Sequence, residues 1–293
     1  MSGHKFNRKR VRDTAIWSLL LTAIAAGLFF SVLRKSNAKV QDIQIDITGL
    51  NEGEQLINEK EIKQILQLAA GKSINKASIK SLDVRKLEAK LNNDKRIENA
   101  DLYFDSNGKL HVKVQQKKPI MRVMEVSGSE YYIDGQGSRV PYLRGSLVRV
   151  PVVTGVRDTF FDKIKETGKP TKLKEVFEIM KYISDDKFLS SLVEQVDIGS
   201  EMSGDIVLIP KVGREKIVFG DGSNIKAKFD NLKIFYKDGM PKLGWSRYKT
   251  LNLAYANQVR GVLADPTSAP KILPVEQDSL TAELKSSNNH NIQ

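Results

Sequence analysis

The spacing of apolar residues changes along the chain, and each change marks a different kind of element. From Thr14 to Leu33 the sequence TAIWSLLLTAIAAGLFFSVL carries no charge over 20 residues. At about 1.5 Å rise per residue such a helix covers a hydrocarbon core of about 30 Å. The run therefore predicts a membrane-spanning helix over residues 14–33, with Trp17 placed as an interfacial aromatic. A cleaved signal peptide is the alternative, because Ser36 and Ala38 resemble a cleavage site. Against it, the apolar run exceeds the ~7 to 15 residues of a signal core, and Arg34 and Lys35 put charge just before that site. Length and flanking charge favour an uncleaved anchor.

Past residue 39 the period drops to two: Ile43, Ile45 and Ile47 in VQDIQIDI predict a half-buried strand over Val40–Ile47. It then lengthens. Asn58 can cap a helix, with Glu61 reaching back to it, and Ile62, Ile65, Leu66 and Ala69 follow on one face until Gly71. A second, shorter helix is expected from Asp83 to Leu91. A hairpin comes next, with Leu102 and Phe104 alternating before a type I′ signal at Asn107-Gly108 and Leu110, Val112 and Val114 after it. Strand, helix, helix, strand, strand is an α+β layer, expected over residues 40–116.

Residues 117–264 predict a mainly β domain with two helices. Tyr131 to Pro141 reads as strand, glycine-rich turn and strand, and Val150 to Gly155 as an apolar segment following it. A single helix is expected from Thr171 to Leu192, entered at Pro170. Strands follow at Val193–Ile198, Ile206–Ile209 and Lys216–Gly220, then a helix over Ile225–Tyr236. Leu251, Leu253 and Tyr255 alternate, and Val259–Leu263 forms a short last strand. Residues 265–293, with Pro266, Pro270 and Pro274 among many Ser and Asn, predict a disordered tail.

Charge orients the first element. Of the net charge of +12, residues 1–39 carry +7, which leaves +5 for the other 254 residues. Five basic residues before the apolar run, against three close behind it, favour a cytoplasmic tail over residues 1–13 and export of the remainder. The remainder is too dilute in charge for a nucleic-acid surface. With no cysteine and only His4, His111 and His290, the chain offers neither thiol chemistry nor a histidine metal cluster.

Tests for catalytic motifs fail on spacing. Gly71-Lys72-Ser73 lacks the glycine five positions earlier, where Leu66 stands, and Gly168-Lys169 has Lys163 in that place. Gly244-Trp245-Ser246 continues to Arg247, so it is no nucleophile elbow. Asp134-Gly135-Gln136-Gly137 supplies one carboxylate where a calcium loop needs several. Asp185-Asp186 reads as a solvated helix end. The expectation is a protein without catalysis, cofactor, metal or small-molecule substrate.

The order of these parts resembles the FtsQ/DivIB family of bacterial division proteins, whose first exported module is a POTRA domain. Short patterns carry the resemblance: Asp94-Lys95-Arg96-Ile97-Glu98-Asn99-Ala100-Asp101-Leu102 at a helix-to-strand passage, and Lys118-Pro119-Ile120-Met121-Arg122 after the hairpin. To these add Tyr131-Tyr132-Ile133-Asp134 through Val140-Pro141, and Val150-Pro151-Val152-Val153-Thr154-Gly155. The resemblance implies a single-pass inner-membrane protein at the midcell septum, its domains in the periplasm. Its last strand would recruit FtsB/FtsL-like proteins by strand addition and so support septal cell-wall synthesis. Carried onto this chain, the implied contact is Tyr255, Val259, Arg260, Gly261 and Val262. Ala254 stands where the family has a basic residue, and Arg260 is the residue that could replace it. The competing reading of Tyr255 and Val259 is that they close the core of their domain. Two other functions compete: a POTRA-bearing component of a secretion or outer-membrane assembly machine, and a membrane-tethered wall hydrolase. The first is disfavoured by a single module and no barrel-like strands, the second by the missing acid–base pair.

Overall fold

The computed structural model describes residues 16–26, 38–75, 77–143, 145–157, 171–199, 204–255 and 258–265. The expectations for residues 1–13, Thr14, Leu33, Pro170 and residues 266–293 lie outside them. Residues 16–26 are helical (α1), and Ile16, Trp17, Leu19, Leu20, Leu21 and Ile24 are all exposed. Thr22 satisfies its hydroxyl within the helix by donating to Ser18 O and Leu19 O, both at 2.9 Å. Among the described residues no helix is long and apolar enough to cross a membrane. The expected span runs past α1 on both sides, into residues outside the description. The chain divides into two compact units, residues 1–190 and 191–293.

In the first unit, β1 (Ile43–Thr48), α2 (Glu59–Ala70), a 3-10 turn (Ile79–Ser81), α3 (Val84–Asn92), β2 (Ile97–Phe104) and β3 (Leu110–Gln116) form one α+β module. The strand order is β1-β3-β2. β3 pairs antiparallel with β2 and parallel with β1, with Ile43, Ile45 and Ile47 opposite Leu110, Val112 and Val114. Asn58 and Glu61 make the reciprocal capping box of α2, at 3.0 and 3.1 Å, and Gly71 ends the helix at φ 66°. Ile62 and Leu66 from α2 and Leu87 and Leu91 from α3 bury against Ala100, Leu102, Leu110, Val112 and Val114. The β2–β3 turn is not type I′, which needs positive φ at both central residues. Here Gly108 alone has positive φ, at 81°, and Asp105 closes the loop by accepting from the amides of Asn107 and Lys109 at 2.9 Å.

Arg96 is buried at the passage from α3 to β2. It reaches Asp94 Oδ2 and Glu61 Oε1, each at 2.8 Å, and its Nε donates to Asp94 Oδ1. Burial pushes the Asp94 carboxyl up, but the side-chain and backbone hydrogen bonds from Arg96, with its charge, outweigh this and hold it below its ordinary 3.8. A carboxylate depressed on folding contributes stability that is fully present above its unfolded pKa and is lost as pH falls through the folded one. The pair therefore weakens below about pH 4. Urea denaturation at descending pH is expected to show a shallower acid decline for Asp94→Asn than for the parent chain; an identical slope would exclude this carboxylate as a contributor.

Beyond this module the same unit continues with β4 (Pro119–Glu125), β5 (Glu130–Asp134), β6 (Arg139–Pro141) and β7 (Val152–Val156), in the order β7-β4-β5-β6. β4 pairs antiparallel with β5 and parallel with β7. It is a full strand where only an exit segment was expected. Pro119 opens it, a position where the missing N–H breaks no ladder, and Met121 and Val123 are buried. The expected single helix after Thr171 is two, α4 (Lys172–Ser184) and α5 (Lys187–Leu192). The break is local: Asp186 Oδ1 accepts from Leu189 N at 3.0 Å and starts α5 afresh. α4 packs against β4.

Gln116 ties the end of β3 back to the segment that leads into α2. Its Oε1 accepts from the buried amides of Leu56 at 2.7 Å and Ile57 at 3.0 Å. Beside it, Leu56 packs with Tyr132 of β5 and Val140 of β6. Gln55 and Leu147 exchange backbone hydrogen bonds at 2.8 and 2.9 Å.

The second unit holds β8 (Val193–Ile198), β9 (Ile206–Pro210), β10 (Lys216–Gly220), α6 (Ile225–Ile234), a π-helical turn (Phe235–Gly239), α7 (Met240–Leu243), β11 (Tyr248–Asn252) and β12 (Arg260–Leu263). Its strands run in the order β12-β11-β10-β9-β8. The helix expected to reach Tyr236 changes to π winding at Phe235. Tyr236 is buried there, donating to the buried Glu215 carboxylate at 2.5 Å. Phe229 meets Phe219 with ring centroids 4.9 Å apart.

Candidate interaction edge

The last two strands position the residues singled out at the C-terminus. β11 pairs parallel with β10 and antiparallel with β12, matching Leu251 to Gly261, Thr250 to Val262 and Asn252 to Arg260. A bulge between Tyr248 and Thr250 brings Tyr248 and Leu251 to the same face, because an extra residue cancels one step of the alternation. Tyr248 thereby lies over Gly261, where a Cβ would run into its ring. Phe235 supports that ring edge-on, with centroids 5.5 Å apart. The signal for this contact was a glycine within a four-residue strand; the bulge that creates it has no local signature.

β12 ends the strand order, and its outer side has no paired strand among the described residues. Ala264 N donates to Arg247 O at 2.9 Å. Backbone amides alternate along a strand, so Val262 and Arg260 also turn theirs toward β11. Gly261 and Leu263 turn theirs outward. Arg260, Gly261 and Val262 are exposed, Val262 at 57%. Val262 and Arg260 share the face opposite the Tyr248 ring.

Tyr255 lies in a bend after β11 and is 44% exposed, while Val259 is half-buried. Leu251 and Leu253 are the buried members of the alternating run, and the Leu253 amide donates to Val218 O at 2.8 Å and extends the β10–β11 ladder. Tyr255 is tied instead to β12: the Arg260 guanidinium stands 3.7 Å from the centre of its ring. The structure thus brings Tyr255 and Arg260 together and sets Gly261 and Val262 along the free edge.

A cavity of about 320 Å³ opens beside Tyr255, lined also by Asn224, Lys228, Asn231 and Leu253. Its charges are committed. Lys228 is buried and gives Nζ to Asp221 O and Oδ1, both at 2.9 Å. Hydrogen bonds from Ser223 and then Lys228 hold the Asp221 carboxyl far below the usual carboxylate range. Such a site can seat a side chain.

The other polar positions singled out have structural work. Asp134 is 1% exposed, accepts from the amides of Gln136 and Ser138 at 3.0 and 2.8 Å, and pairs with Lys117 at 3.1 Å. It is the clasp of a hairpin. Among the described residues there is no group of three or more His, Asp or Glu that could hold a metal ion.

Residues 38–115 match the family model of a POTRA-like domain, and residues 118–261 match that of the FtsQ/DivIB C-terminal related domain, which ends inside β12. A comparison with curated proteins gives no match. With both domain types matched in this order, and an α+β module followed by a β-rich domain, the chain belongs to the FtsQ/DivIB family of cell division proteins.

Proposed function

We propose that the protein is a non-enzymatic scaffold of the division machinery that captures FtsB/FtsL-like proteins on the free edge of β12 and so supports septal cell-wall synthesis. The observation that carries this reading is the edge itself: among the described residues β12 ends the sheet, with Arg260, Gly261 and Val262 exposed and with outward-turned amides at Gly261 and Leu263. An added strand can satisfy those groups. Tyr255, with Arg260 stacked on it, supplies an aromatic anchor beside the strand, and Val259 and Val262 supply apolar contact.

In this reading residues 1–13 are a cytoplasmic tail, 14–33 a single membrane span, 40–116 a POTRA-like domain, 117–264 a β domain and 265–293 a disordered tail. The domains then stand in the periplasm at midcell. Support for the span comes from the uncharged 20-residue run and from α1, which carries no charge and keeps its Thr22 hydroxyl bonded to its own backbone. The test is co-purification of the full chain with FtsB/FtsL-like proteins, beside a chain lacking residues 259–264, with a fluorescent fusion followed in dividing cells. Loss of the partners on deletion and a midcell band are expected. Undiminished capture by the shortened chain would refute the edge.

A further inference from the structure

The α2–α3 layer of the POTRA-like domain leaves an outer face that the fold does not use. On it Leu68 is 80% exposed, more than any other large apolar side chain described. It stands between two hollows of about 480 and 510 Å³. Lys72 borders the first; Ala69, Lys86, Ala89 and Lys90 line the second. Among the described residues no carboxylate lines either one.

Lys72 gives its Nζ to Ser81 O at 3.3 Å and Ser81 Oγ at 2.8 Å, so the uncommitted charge on this face lies on α3. Lys86 and Lys90 lie one turn apart on α3, both exposed, and neither has a carboxylate partner among the described residues. Like charges at this spacing disfavour the helix. Between them Ala89, with Ala69 across the groove, gives a shallow floor on which another backbone can approach closely.

We propose that this face is a second docking surface, and that its occupant is an acidic amphipathic helix of a partner protein. Leu68 supplies the apolar contact, the alanines supply room, and the lysines select carboxylates. A helix fits better than a strand, because α2 and α3 present no free backbone groups for a ladder. It fits better than a lipid surface, which favours several bulky apolar residues rather than one leucine beside hollows.

The chain has no cysteine, so Gln64→Cys, on the rim of the first hollow, creates a single labelling site for an environment-sensitive dye and leaves Leu68 in place. The labelled full chain is titrated with a synthetic Leu/Glu amphipathic helical peptide, with its Leu/Lys counterpart, and with nanodiscs of phosphatidylglycerol. A blue shift with the acidic peptide is expected, at an affinity at least about tenfold above that for the basic one. The doubly charge-reversed K86E/K90E chain should exchange this preference. Equal response to both peptides, a preference unmoved by charge reversal, or response to the nanodiscs alone would overturn the proposal.

Discussion

Val262→Asp is expected to abolish capture of an added strand while leaving the stability of the domain within about 0.5 kcal/mol of the parent, as for an ordinary surface substitution. Val262 is 57% exposed and lies on the face away from the Tyr248 ring, so no core contact is lost. What changes is the cost of covering it. An incoming strand would bury the new carboxylate in an apolar contact, and an unpaired buried charge costs several kcal/mol. Affinity falls by about tenfold for each 1.4 kcal/mol, which removes binding at working concentrations. Pull-down with an unchanged urea midpoint is the required pair of results. Gly261→Val should fail differently: its side chain must displace the Tyr248 ring and strain the edge itself.

The largest effect on stability is expected from Gln116→Leu, at about 2 to 5 kcal/mol. Its Oε1 is the acceptor for two buried amides, Leu56 N and Ile57 N, which leucine leaves without a partner. Leucine is near glutamine in size and fills the site without supplying an acceptor, so most of the loss falls on the hydrogen bonds. Gln116→Glu retains an acceptor and should recover most of it. Urea denaturation of the three chains at one pH checks the order, parent above Gln116→Glu above Gln116→Leu. A leucine chain as stable as the parent would show that these amides need no acceptor.

Legibility in the sequence follows the range of the interaction. The α2 capping box is complete within four residues, and Asn58 and Glu61 make it as their spacing indicates. The isoleucines of β1 alternate against β3, although nothing in them announces that the pairing is parallel, since β3 lies more than sixty residues away. β4 was hidden because its alternating buried positions include Pro119 and Glu125, which break the apolar pattern at both ends. The helix break at Asp186 competes with a continuing apolar stripe, and a side-chain cap wins. At the candidate edge, the strand itself was visible one residue too long, beginning at Val259 instead of Arg260. Tyr248 was missed because its place over Gly261 depends on a bulge, and Gln116 because a polar residue ending a strand reads as surface.

Amide hydrogen exchange at β12 tests the central claim most directly, since strand addition makes a statement about individual N–H groups. With an FtsB/FtsL-like partner bound to the full chain, exchange at Gly261 and Leu263 should slow by at least about tenfold. Val262 and Arg260, already turned toward β11, should change less. Binding that persists while Gly261 and Leu263 exchange at their free rates would contradict the account.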